Sequence, residues 1–285
     1  MLTPEELRQI GRVHVQVGRG VDALLAGEYR SAFRGSGMEF EEVRAYQPGD
    51  DVRRIDWNVT ARSKETFLKV FREERELTML LIVDRSGSVR FGSGGADGRT
   101  DKRLQIARLA GALAYAALRS NDRVGLLTFS EGVERFLPPR RSRGHAWQVI
   151  RTAFEELGTD RKTDLASALT HAQKVLKRRA AVIVLSDFLD QGNWTDACRL
   201  LMRKHRVHAF LVHDKLEAHL PELGLVTVRD AETGATRVVD AHSFIAAASV
   251  DRRLADLRRL GLRASAVATH DDAFRKLHAH FRSVG

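Results

Sequence analysis

Met79-Leu80-Leu81-Ile82-Val83-Asp84-Arg85-Ser86-Gly87-Ser88 is the stretch from which the fold is read. Five apolar residues stand in a row with no polar residue at helical spacing, which reads as a strand buried on both faces. The run stops at Asp84, and Ser86 and Ser88 follow on a turn loosened by Gly87. A helix is expected from about Asp101. A carboxylate and two hydroxyls thus sit on the loop leaving the carboxyl end of a central strand, where open α/β sheets bind their ligands. Carboxylate and hydroxyl oxygens are hard donors, suited to Mg²⁺ or Mn²⁺ and not to Zn²⁺. The competing reading of these residues is that they only cap the next helix.

Outward from this strand, the chain after Leu77 alternates strand and helix. Strand 77–84 leads to helix 101–119, strand 122–129, a short edge strand 133–136 and helix 143–157, which ends at Gly158 as its C′ residue. Helix 164–178, strand 180–185, helix 193–203 and strand 207–212 follow. Segments 225–230 and 235–240 alternate apolar and polar residues around Glu232-Thr233-Gly234 and read as a hairpin. Helix 242–259, strand 262–269 and helix 271–282 complete the chain. Alternating apolar strands and helices define the fold class as α/β, a doubly wound, mostly parallel sheet with helices on both faces and an inserted β-hairpin.

Upstream, Thr3-Pro4-Glu5-Glu6 is a capping box with proline at the first helical position. It opens an amphipathic helix to about Ala26, and residues 30–40 read as a loop. Residues 39–76 begin with period-two character, break at Pro48-Gly49-Asp50 and resume as a strand at Thr66–Phe71. Their charges suggest an Arg–Asp network of Arg44, Asp50, Arg53, Asp56 and Arg62. The organisation expected is an N-terminal helical and β-rich segment, 1–76, and an α/β domain, 77–285.

The bulk properties narrow the function classes. A chain of 285 residues can bury a sizeable core, and 5 prolines argue against long disordered linkers. Cys198 is the single cysteine, which excludes a disulfide framework and any cysteine-based zinc or iron–sulfur site. It leads to the expectation of a reducing, cytoplasmic location. The first residues show no apolar signal core, and no run approaches the roughly eighteen apolar residues of a membrane span. A net charge of +10 reads either as a solvated arginine-rich surface or as attraction to something acidic. The clusters Arg140-Arg141-Ser142-Arg143, Lys177-Arg178-Arg179 and Arg252-Arg253 lack the interleaved aromatics of a nucleic-acid stacking platform. All eleven histidines are assigned to the surface or to helix ends.

Two further positions join Asp84, Ser86 and Ser88. Thr163 precedes a helix, and Asp187 closes the strand after it. Carboxyl ends of parallel strands share one edge, so Asp187 lies with the Asp84 loop and Thr163 can reach it. The set Asp84-x-Ser86-x-Ser88, Thr163 and Asp187 resembles the metal-ion-dependent adhesion site of the von Willebrand factor A domain. The resemblance implies that Ser86, Ser88 and Thr163 touch a Mg²⁺ or Mn²⁺ ion and that Asp84 and Asp187 hold it largely through water. Asp164 is assigned to capping its own helix. Hydroxyls and waters neutralise little of the cation's charge, which leaves a position for a partner's carboxylate.

The segment Gly37-x-Glu39-Phe40, Arg44-x-Tyr46-x-Pro48-Gly49-Asp50-Asp51-x-Arg53-x-Ile55-Asp56-Trp57, then Ala61-Arg62, resembles a bacterial domain-of-unknown-function family that joins it to a von Willebrand A domain. Members are typically encoded beside MoxR-type AAA+ ATPases. The resemblance implies a non-enzymatic, metal-dependent adaptor of such an ATPase or its client, acting in protein assembly or activation.

Other functions fit less well. A strand-end aspartate is also the nucleophile of haloacid-dehalogenase-like phosphatases, but the general acid two residues later is here Ser86. Gly92-Ser93-Gly94-Gly95-Ala96-Asp97-Gly98 lacks the Lys-Ser/Thr of a phosphate-binding loop and is expected to be a flexible loop. Nucleic-acid binding rests on net charge alone.

Overall fold

The computed structural model describes residues 38–63, 65–73, 77–92, 101–155, 162–217, 224–229, 234–240 and 249–283. The helix expected over 1–26, most of the Gly92–Gly98 loop, Gly158 and the start of the helix expected from 242 lie outside them.

Residues 34–77 form one compact unit. Strand β1 (Met38–Ala45) pairs antiparallel with β2 (Phe67–Glu73), with a bulge between Phe40 and Glu42. Residues 38–40, expected in a loop, are therefore strand. Between the strands, Asp56 caps a single helical turn, Trp57–Thr60, and pairs with Lys69 at 3.5 Å. Arg44 grips Asp50 through two 2.7 Å hydrogen bonds. Of the expected Arg–Asp network this one bidentate pair is present, while Asp56 takes a lysine instead. Trp57 is 68% exposed.

The second unit carries the six-stranded sheet. Its strands are β3 (Thr78–Asp84), β4 (Arg123–Phe129), β5 (Val133–Arg140), β6 (Ala181–Ser186), β7 (Arg206–His213) and, after a separate hairpin of β8 (Leu225–Arg229) with β9 (Thr236–Asp240), β10 (Arg263–Ala268). The order is β10-β7-β6-β3-β4-β5, with only β5 antiparallel to its neighbour. The helices are α1 (Lys102–Arg119), α2 (Arg143–Phe154), α3 (Leu165–Val175), α4 (Thr195–Met202), α5 (Val250–Arg259) and α6 (Ala273–Arg282).

The apolar run of β3 is the centre of this sheet. Met79 to Val83 are all at most 1% exposed. Leu80 and Ile82 pack with Leu127 and Phe129 of β4, Val182 and Val184 of β6, and Leu165, Ala168 and Leu169 of α3. Met79, Leu81 and Val83 alternate to the opposite face. Each such side chain contributes roughly 1.5–3 kcal/mol by leaving water.

Three elements depart from the sequence reading. β5 runs to Arg140, past Pro138 and Pro139, because an edge strand does not need every amide for its ladder. It lies so close to β4 that a Cβ on Gly125 would sit 2.8 Å from the Leu137 carbonyl oxygen. Helix α2 ends at Phe154, short of the expected 157, with Glu155 already extended as its C-cap. His145, His205, His208 and His280 are buried; His145 and His280 lie in end turns of their helices, while His205 and His208 depart from the assignment to the surface or to helix ends. His208 Nδ1 and His280 Nε2 lie 2.8 Å apart, and the Ser265 hydroxyl is 2.7 Å from His280 Nδ1. A strand buried on both faces has no solvent side to give a histidine.

Burial holds the His208 and His280 rings neutral, with pKa values pushed down to about 2 and about 4. An unfolded chain protonates both near the ordinary 6.5, so it takes up more protons than the fold as pH falls. Stability is therefore full above pH 6.5 and is lost as pH falls from 6.5 toward 4. Unfolding free energies from urea denaturation at about pH 7.5 and pH 5 should differ by roughly 2 kcal/mol for His280. His280→Gln should flatten that slope; an unchanged slope would show that this pair does not set it.

Candidate metal centre

The chain passes from β3 outward through β4 and β5, then returns to the other side of β3 for β6, β7 and β10. The order reverses between β3 and β6, and their carboxyl ends form the crevice at such a switch point. The parallel register pairs Val83 with Leu185. Asp84 therefore faces Ser186, and Asp187 follows at the same rim.

Asp84 is 1% exposed and Asp187 fully buried. Asp84 Oδ1 accepts the Ser86 amide at 2.9 Å, and Oδ2 accepts the Ser186 hydroxyl at 2.5 Å. The hydroxyls of Ser86 and Ser88 are 3.1 Å apart, and the Ser88 hydroxyl helps to hold the charge of the Asp187 carboxylate. Asp84, Ser86, Ser88 and Asp187 thus form one network, as their shared edge implied. Thr163 is half-buried on the loop before α3. That loop is fastened to the same edge, since the Asp164 amide donates to the Ser130 carbonyl, just past β4, at 2.7 Å. Asp164 caps α3 by accepting the Ser167 amide at 2.9 Å. From beyond β6, Asp190 accepts the Leu165 amide at 2.8 Å.

The two carboxylates are treated differently. Burial raises the Asp84 pKa, and the like charge of Asp187 adds to it, pushing it up to about 7 against the Ser186 and Ser86 hydrogen bonds. Burial also works against Asp187, but the Lys102 ammonium, then Ser88 and the Leu189 amide, hold its pKa below the usual carboxylate range. Lys102 stands at the start of α1, 1% exposed, with Nζ 2.7 Å from Asp187 Oδ2 and 2.6 Å from Glu217 Oε1. Arg253 of α5 donates to the Asp187 carbonyl at 2.5 Å and to Glu217 Oε2 at 2.9 Å.

Sequence reasoning missed Ser186, Lys102, Glu217 and Arg253. Ser186 was legible in principle, because it lies opposite Asp84 once β3 and β6 are neighbours. The other three come from three separate segments, and no spacing connects them. Phe188, directly after Asp187, has a φ of 52°, a left-handed conformation unusual for a bulky residue. The bend takes its amide back to the Ser186 hydroxyl at 2.9 Å. Arg85, between the site residues, is held by the Thr152 carbonyl at 3.3 Å and by the Glu155 carbonyl at the end of α2.

The donors fit a hard cation. Among the described residues no group of three or more His, Cys, Asp or Glu side chains could hold a metal ion. Two buried carboxylates flank the Ser86 and Ser88 hydroxyls, and one of them, Asp84, is held by neutral donors.

A family model described as protein of unknown function DUF58 matches residues 42–256. The chain belongs to the DUF58 family. An uncharacterized protein of Mycobacterium tuberculosis is 32% identical over 236 residues, which span 82% of this chain and 73% of that protein. Among solved structures, the conserved hypothetical protein BatB of Bacteroides thetaiotaomicron superposes with a TM-score of 0.50 at 15% identity, covering 73% of this chain and 98% of its own. An aerotolerance-related membrane protein of Bacteroides fragilis does so with a TM-score of 0.50 at 16% identity and the same coverage. The DUF58 chain thus shares an α/β fold with these two proteins.

The second likeness corrects the expectation of a cytoplasmic protein, because a membrane protein has this fold. A single cysteine and the lack of an apolar run describe this stretch of chain, and neither fixes a compartment. No helix among the described residues is long and apolar enough to cross a membrane.

Removing the Asp187 carboxylate would strand a buried ammonium on Glu217 alone. Asp187→Ala should lower stability by about 3–5 kcal/mol. Urea denaturation in chelator checks this, and a loss under about 1 kcal/mol would mean the pair is not a structural element.

Proposed function

We propose that this rim of the DUF58 domain binds a divalent hard cation, Mg²⁺ or Mn²⁺, and uses it to dock a protein partner through the partner's carboxylate. Ser86, Ser88 and Thr163 would hold the cation with their hydroxyls, and Asp84 and Asp187 largely through water. The observation that carries this reading is the Ser86–Ser88 hydroxyl pair, 3.1 Å apart, set between two buried carboxylates at the sheet's switch point. The bound cation would supply an electron-poor centre that few formal charges neutralise, which an external carboxylate can complete. The chain's own part is to keep the hydroxyls fixed and the carboxylates close. Burial and strand register do that.

The role is binding and not catalysis. A strand-end aspartate used as a nucleophile needs an acid/base partner, and the residue two positions on is Ser86, whose hydroxyl is shared with Ser88. The partner class proposed is a MoxR-type AAA+ ATPase or its client, in keeping with the family resemblance, and the DUF58 chain would act as its adaptor in protein assembly or activation.

Calorimetric titration of Mg²⁺ and Mn²⁺ into chelator-stripped protein should show one saturable site, lost in Asp84→Ala. Capture of a MoxR-type AAA+ ATPase should require the metal and fail with the same variant. Capture that is equal in chelator and in Mg²⁺ would sink the metal-bridged contact.

A further inference from the structure

Lys102 is an odd residue for its place. It occupies the first turn of α1, where the positive end of the helix dipole disfavours a cation. It is 1% exposed, and burying an ammonium is costly without paired carboxylates. The Phe91 ring lies 5.9 Å from its Nζ. What compensates it is Asp187 at 2.7 Å and Glu217 at 2.6 Å, with Arg253 holding Glu217 from the other side. Two carboxylates and two cations balance within this cluster. Asp84 takes no formal positive charge from this cluster and is held by the Ser86 amide and the Ser186 hydroxyl.

We propose that the Lys102 ammonium is a tethered competitor of the divalent cation. It neutralises Asp187 in the metal-free protein, and a cation drawing on Asp187 must displace it onto Glu217. Lys102 therefore sets the affinity of the site and keeps it low. Glu217 is the acceptor that makes the exchange possible. It already holds the ammonium and is itself fixed by Arg253, so Lys102 keeps a carboxylate when Asp187 turns to the metal. This rests on the reading of the rim as a cation site, and the two can fail separately.

The test is calorimetric titration of Mg²⁺ and Mn²⁺ into chelator-stripped wild-type protein and Lys102→Met, with thermal melts of each at matched metal concentrations. Removing one nearby positive charge should tighten binding about tenfold or more. Metal should also raise the melting temperature of Lys102→Met by more than that of wild type. Equal or weaker binding by Lys102→Met overturns the competition and leaves the cation site standing. Binding by neither protein overturns both. If Lys102→Met does not fold in chelator, the comparison moves to Lys102→Gln against wild type, where a neutral donor remains for the Asp187 carboxylate. Lys102→Gln is then expected to bind metal more tightly than wild type, and equal affinities overturn the proposal.

Discussion

Two carboxylates buried side by side at the carboxyl ends of β3 and β6 are the constraint on which the rest of this edge depends. Each strand is apolar on both faces, so neither aspartate can turn to water. Ionised carboxylates in such a place need donors or cations. The chain meets the need unequally. Asp187 receives an ammonium, a hydroxyl and an amide, and stays ionised. Asp84 receives hydroxyl and amide donors only, and its pKa rises under burial and the neighbouring charge. Two chemically identical groups, one strand apart, are thereby given different proton affinities by their surroundings.

That inequality organises the surrounding loops. Lys102 brings the start of α1 to the rim, Glu217 brings the turn after β7, and Arg253 brings α5. On the other side, Arg85 ties the Asp84 loop to the end of α2, and Asp190 ties the loop after β6 to the start of α3. Hydroxyls of Ser86 and Ser88 sit between these two sets of ties. A site built this way is held by strand ends and helix starts, and its side chains have little freedom to leave the rim.

Strands β3, β4, β6 and β7 were legible because their apolar runs admit no amphipathic alternative, and the α/β order followed from their alternation with helices. Asp84, Ser86, Ser88 and Asp187 were legible as neighbours because parallel strands share one edge. Edge features were less so. The edge strand read over 133–136 continues through Pro138 and Pro139 to Arg140, since only one of its sides is hydrogen-bonded. His208 and His280 read as surface or helix-end residues, yet both are buried and each finds its partner in the interior through the other and Ser265.

From the sequence alone came the fold class, the rim, and the oxygen-bearing side chains along it, because local apolar patterning dictates strands and strand direction dictates which ends meet. Only the tertiary structure decided which counter-charge each aspartate receives. Lys102, Glu217 and Arg253 are separated by long stretches of chain, and pairing at 2.6–2.9 Å depends on how helices and turns pack over the sheet. No spacing rule encodes that packing, since electrostatic complementarity in a buried cluster is set by three-dimensional proximity.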